Sequence, residues 1–118
     1  MSLTARQQRE QEFFNRYYEC AQGTEGRPAF PPLAEAFRII AGEERRPHNI
    51  YWEFMQRVQE LGIGGKNVLD FGCGVGFHAA LYAKLGARVC AVDLSVTAVR
   101  KTRERLAAYG LGNGAQVS

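Results

Sequence analysis

The chain turns on one stretch, Asn67-Val68-Leu69-Asp70-Phe71-Gly72-Cys73-Gly74-Val75-Gly76, and on its continuation Gly86-Ala87-Arg88-Val89-Cys90-Ala91-Val92-Asp93. Val68–Phe71 is short and mostly apolar and predicts a strand. Glycines at three alternate positions predict a sharp turn with no Cβ atoms in the way. Phe77–Leu85 contains no helix breaker and predicts a helix that stops at Gly86. Arg88–Val92 predicts a second strand with Asp93 at its carboxyl end. The sum is a parallel strand–helix–strand unit of the kind that binds a nucleoside-bearing cofactor.

Each part has a physical reason. The glycines let a ligand approach the backbone, and the helix behind them starts with unpaired N–H groups. An acid at the end of the second strand can accept both hydroxyls of a ribose. The glycine spacing then separates cofactors. A dinucleotide fingerprint needs Gly-x-Gly-x-x-Gly, but the sixth position is Phe77 counted from Gly72 and Ala79 counted from Gly74. A nicotinamide-binding oxidoreductase domain therefore fails on spacing, and no phosphate-binding Gly-Lys-Ser/Thr loop occurs. The pattern is acid-x-Gly-x-Gly-x-Gly, with Asp70 leading. A carboxylate there repels a diphosphate and suits a ligand carrying an ammonium and a sulfonium, namely S-adenosylmethionine (SAM).

Val68–Gly76, followed by Gly86–Ser95, resembles the first two motifs of class I SAM-dependent methyltransferases, most of all the broad group acting on small molecules. The resemblance covers about Asn49–Leu106. It implies a Rossmann-like α/β fold and methyl transfer from SAM to an unidentified, small-molecule acceptor. It places Asp70, Gly72, Gly74, Gly76 and Asp93 at the cofactor, with Leu94 bordering the adenine ring. It names no catalytic residue and no metal ligand. A non-catalytic SAM-binding module is the alternative that shares these residues.

Composition narrows the class. Residues 1–60 carry eight Arg and nine Glu, whereas residues 61–118 carry seven Lys/Arg against Asp70, Asp93 and Glu104. A solvated helix face accounts for this mild basic bias, so nucleic acid is not the expected partner. Cys20, Cys73 and Cys90 show neither metal-ligand spacing nor an even disulfide framework. Cys90 is expected inside a buried strand. Unpaired thiols, a polar N-terminus and the lack of a long apolar run point to a cytoplasmic protein with no membrane contact.

Residues 1–48 are expected to form a helical lid and residues 49–118 the SAM-binding half of the domain. Residues 1–21 read as a helix, with Thr4 as its cap and no breaker over Ala5–Cys20, and Phe13, Phe14, Tyr17 and Tyr18 form an aromatic stripe at helical spacing. The stripe is expected to pack on the core. The resemblance adds that such a helix closes over the cofactor and that Tyr17 or Tyr18 presents a hydroxyl to it. Gln22–Pro32 is a connector, Leu33–Ala41 a short helix with Leu33, Phe37 and Ile40 on one side, and Gly42–Pro47 a charged loop. Asn49 is expected to cap a helix over Ile50–Leu61 with Ile50, Phe54, Val58 and Leu61 as its buried stripe, Trp52 lying off it. His48 reads as a surface residue at a helix start. His78, in the first turn of the cofactor helix, is expected neutral. Ser95 is the natural cap of a helix over Val96–Tyr109, with Val99, Thr102, Leu106 and Tyr109 buried.

Ala115-Gln116-Val117 begins a third strand. The family's adenine-reading third region and its acceptor-side motif have no counterpart in these 118 residues. Strand one, apolar on both sides, is therefore expected to be buried on both faces yet to stand at an open sheet edge. A truncated methyltransferase, inactive alone, is the leading expectation. Completion of the sheet by a partner or by a second copy through that edge, or a natural short protein, are the others.

Overall fold

The computed structural model describes residues 2–20, 33–42 and 50–118. Three helices, α1 (Ala5–Cys20), α2 (Leu33–Ile40) and α3 (Ile50–Glu60), precede an alternation of β1 (Asn67–Phe71), α4 (Phe77–Lys84), β2 (Arg88–Val92), α5 (Val96–Ala108) and β3 (Ala115–Val117). The strands are parallel in the order β1-β2-β3, with Leu69 opposite Cys90 and Cys90 opposite Gln116. β1 is thus an edge strand, as its sequence predicts. The glycine stops hold too: Gly62, Gly86 and Gly110 all adopt positive φ just beyond helix ends.

Consecutive crossovers of one hand put α4 and α5 on the same face of the sheet. Val68, Val89, Ala91, Ala115 and Val117 point to that face, where Ala79 and Ala80 of α4 are fully buried and bring the helix close. Leu81 and Leu106 join α4 to α5, and Ala36 and Met55 add α2 and α3. Burying each leucine stabilises the fold by roughly 1.5–3 kcal/mol.

The opposite face has no covering layer among the described residues. Leu69 is 63% and Phe71 86% exposed, so β1 is buried on one face, not two. Cys90 shares that bare face and is exposed, contrary to the sequence expectation. The reason is topological: a strand's outer face is buried only when a helix crosses there, and both crossovers lie on the other side.

Three helix stripes are also corrected. Phe13, Phe14 and Tyr17 are 63%, 39% and 48% exposed, so the aromatic stripe of α1 does not pack on the core. In α3 the buried residues are Met55 and Val58, while Phe54 and Leu61 are exposed. In α5 Thr102 and Leu106 are buried as expected, joined by Thr97 and Ala98, but Tyr109 is exposed. Thr4 does cap α1, its Oγ1 accepting from Gln7 N at 3.2 Å. Gln22–Pro32, residues 43–47, His48 and Asn49 lie outside the described residues, as do the side chains of Leu33, Ile40, Ile50 and Trp52. Among the described residues no helix is long and apolar enough to cross a membrane.

Candidate functional site

The glycine turn runs from the end of β1 to the start of α4 and is tied to β2 by its backbone. Gly72 N and Cys73 N both donate to Val92 O, at 2.8 and 3.0 Å, and Gly76 N donates back to Cys73 O at 3.0 Å. Gly72, Gly74 and Gly76 have φ of 75°, 56° and 84°. At Gly76 the demand for glycine is doubled: a Cβ would lie 2.8 Å from Thr102 Cγ2 and 3.0 Å from Thr102 Cα. Gly76 is the N-cap of α4 and makes no side-chain bond.

Asp93, at the end of β2, is bound to this turn directly. Its Oδ2 accepts from Gly74 N at 2.9 Å and its Oδ1 from Ser95 N at 2.8 Å. Two backbone donors therefore fix the carboxylate rotamer, and each oxygen keeps a second lone pair. Ser95 caps α5, with Oγ accepting from Ala98 N at 3.1 Å.

Asp70 is in β1, on the helix-covered face, two residues ahead of Gly72. Its Oδ2 is buried and has no hydrogen-bond partner among the described residues. Burial pushes its carboxyl pKa up, and the charge of Asp93 pushes in the same direction; nearby His78 and the Ala79 N–H oppose the rise. A buried, unpartnered carboxylate oxygen costs stability unless a donor reaches it. His78 packs edge-on to Phe54 and Phe77, each with ring centroids 5.3 Å away, and stacks on Tyr82. Burial lowers its pKa against the pull of Asp70, in line with the neutral ring expected from its place at a helix start.

Of the two tyrosines of α1, Tyr18 is the one that lies beside the turn. A Cβ on Gly74 would meet the Tyr18 hydroxyl at 3.1 Å, whereas Tyr17 is about half exposed. Burial raises the Tyr18 pKa, and Asp93 adds to the rise. Its hydroxyl is therefore a neutral donor and acceptor beside the turn.

What holds α1 there is polar, and the sequence did not announce it. Gln11 Nε2 donates to Leu94 O at 2.9 Å. Asn15 Oδ1 accepts from Ser95 Oγ at 2.6 Å and from Thr97 N at 3.3 Å. Glu19 accepts from Thr97 Oγ1 at 3.3 Å and pairs with Arg100 at 2.9 Å. Lys101 Nζ donates to Tyr18 O at the carboxyl end of α1. These bonds join residues about 80 positions apart, so no local pattern reveals them. For Thr102 a signal did exist: a hydroxyl on a buried stripe needs a partner.

The predicted site residues thus separate into two groups. Gly74, Asp93 and Tyr18 are in direct contact or nearly so, and Gly72 and Gly76 frame them. Asp70 feels Asp93 electrostatically but is not bonded to the turn's glycines or to Asp93. Leu94 is half-buried beside Asp93, with its carbonyl engaged by Gln11. A groove lined by Phe54, Met55, Val58, Leu81, Tyr82 and Leu85 contains none of these residues.

Comparison with known proteins bears on the family and the fold. Residues 68–118 match the profile of a family described as a methyltransferase domain. A ubiquinone biosynthesis O-methyltransferase of Albidiferax ferrireducens is 38% identical over 72 residues, 60% of this chain and 29% of that protein. A malonyl-[acyl-carrier protein] O-methyltransferase of Serratia marcescens is 33% identical over 89 residues, 72% of this chain and 35% of that protein. The chain thus spans about a third of the length of these relatives. The fold is similar to that of the magnesium protoporphyrin IX methyltransferase of Synechocystis, solved with bound SAM. The TM-score is 0.61 at 19% identity, covering 96% of this chain and 53% of that one. Residues 68–118 thus match a methyltransferase domain, and the chain shares the fold of the Synechocystis enzyme.

Proposed function

We propose that this chain binds SAM at the Gly72–Gly76 turn and supplies the cofactor side of a methyltransferase acting on a small molecule. The observation that carries this reading is Asp93 bonded to the backbone of a turn in which Gly72, Gly74 and Gly76 all take positive φ, with Asp70 two residues ahead of it. Asp93, its rotamer set by Gly74 N–H and Ser95 N–H, keeps a free lone pair on each oxygen for the ribose hydroxyls. The negative charge of Asp70, two residues ahead of the turn, suits a ligand that carries an amino-acid ammonium. Leu94, beside Asp93, offers an apolar side chain to a base.

When bound, SAM supplies a methyl group made electrophilic by its sulfonium. The chain's own residues bind, orient and exclude water. Tyr18, held over the turn by the α1 seam, covers the Gly74 side of the site, and its neutral hydroxyl can bond to a ligand carboxylate. Alignment and a dry cleft are most of what an in-line methyl displacement needs. The open edge of β1, the exposed Leu69 and Phe71, and the greater length of the relatives support an acceptor side built by further polypeptide.

Calorimetric titration with SAM and with NAD tests this reading. Saturable binding of SAM and none of NAD is expected. NAD binding in preference to SAM, or binding of neither, would overturn it.

A further inference from the structure

Gly74 is gripped at both of its backbone polar groups. Its N–H donates to Asp93, and its C=O accepts from Thr102 Oγ1 at 2.9 Å. Thr102 stands in the middle of α5 and is fully buried. Its methyl and Cα fill the hollow under Gly76, and its hydroxyl lies 3.6 Å from Cys73 Sγ. Burial pushes the Cys73 thiol up, so the sulfur keeps its proton and can donate to the Thr102 oxygen. The Cys73 sulfur also lies 3.9 Å from the Gly74 carbonyl, so thiol, hydroxyl and carbonyl form one buried cluster in which the Thr102 hydroxyl makes the short bond.

We infer that Thr102 is a positioning residue for the cofactor site: by fixing the Gly74 carbonyl it sets the Gly74 N–H, and through that N–H the Asp93 carboxylate. The inference rests on the SAM reading above for its functional consequence, but not for its geometry. A left-handed residue such as Gly74, with φ of 56°, has no side chain to hold it and takes its orientation from its neighbours. Threonine meets both demands of the place. The hydroxyl satisfies a buried carbonyl, and the methyl packs where Gly76 leaves room. Valine retains the shape and loses the bond; serine retains the bond and loses the methyl.

The test compares Thr102→Val and Thr102→Ser with the unaltered chain by SAM calorimetry, Gly74 amide exchange and melting temperature. Thr102→Val is expected to weaken SAM binding about tenfold and to speed Gly74 N–H exchange by a similar factor, the scale of one lost hydrogen bond. Thr102→Ser is expected to stay within about threefold on both readouts, while melting below the unaltered chain because the hollow is no longer filled. A purely structural role would make affinity follow melting temperature instead. Unchanged Gly74 exchange in Thr102→Val, with SAM affinity at the unaltered level, would overturn the inference. If the unaltered chain does not bind SAM, the functional reading fails, and the exchange comparison still decides the clamp.

Discussion

Gly76→Ala is the sharpest perturbation of the turn, and its cost can be worked from two separate causes. The first is backbone. Gly76 has φ of 84°, and a residue with a Cβ loses roughly 1–2 kcal/mol there. The second is space. The new methyl would lie 2.8 Å from Thr102 Cγ2, 2.9 Å from Oγ1 and 3.0 Å from Cα, and the last of these cannot swing away. Forcing a methyl into a filled site adds about 1–3 kcal/mol, for a total of roughly 2–5 kcal/mol. Gly72→Ala is the internal control. Its φ is 75°, and nothing lies within 4 Å of the Cβ position, so only the backbone cost applies. Urea unfolding followed by far-UV circular dichroism gives the comparison. With a small-protein slope of about 1–3 kcal/mol per molar, the midpoints of the two variants should differ by roughly 1 M. Combining Gly76→Ala with Thr102→Ala should recover part of the loss, with a coupling of about 0.5–3 kcal/mol. Equal midpoints for Gly72→Ala and Gly76→Ala would refute the packing of Thr102 under the turn.

Three further outcomes follow from the same geometry. Ser95→Ala removes the cap of α5 and leaves Asn15 without its hydroxyl donor, so unfolding should cost about 1–2 kcal/mol less, measured by urea melts. Asp70→Asn should stabilise the chain at pH 7 by on the order of 1 kcal/mol. Because the folded pKa of Asp70 is raised, the native state holds its proton better than the unfolded one. The variant's advantage is therefore full at neutral pH and vanishes as pH falls below the ordinary carboxylate range, which paired melts at several pH values would show. His78 has the opposite linkage: its folded pKa is lowered, so its contribution is present above the ordinary imidazole pKa of 6.5 and is lost as pH falls through the folded value. His78→Phe should remove that slope, and a slope equal to that of the unaltered chain would contradict it.

The strand–helix–strand unit was legible because its signals are local. Glycines at alternate positions, an uninterrupted helix and an acid at a strand end lie within one stretch, and Ser95 announces α5 in the same way. The burial of β1 was not legible. Whether Leu69 and Phe71 meet a helix depends on which side the crossovers take, and a short, mostly apolar strand reads the same in either case. The aromatic stripe of α1 misled for a related reason. Helical spacing shows that Phe13, Phe14 and Tyr17 share a side, but not that the side meets a core. The contacts that dock α1 are Gln11, Asn15 and Glu19 on the α5 start, polar residues that look like ordinary solvated helix positions until the fold brings them together. That Tyr18, not Tyr17, lies beside Gly74 likewise needed the docked helix.

The central claim is that the turn and Asp93 together form the SAM site. A nitrogen–proton correlation spectrum of the labelled chain, titrated with SAM, tests it most directly. The account predicts saturable shifts of the Gly72, Gly74, Gly76 and Ser95 amides, all lost in Asp93→Ala. Shifts confined to other parts of the chain, or the same shifts persisting in Asp93→Ala, would contradict it.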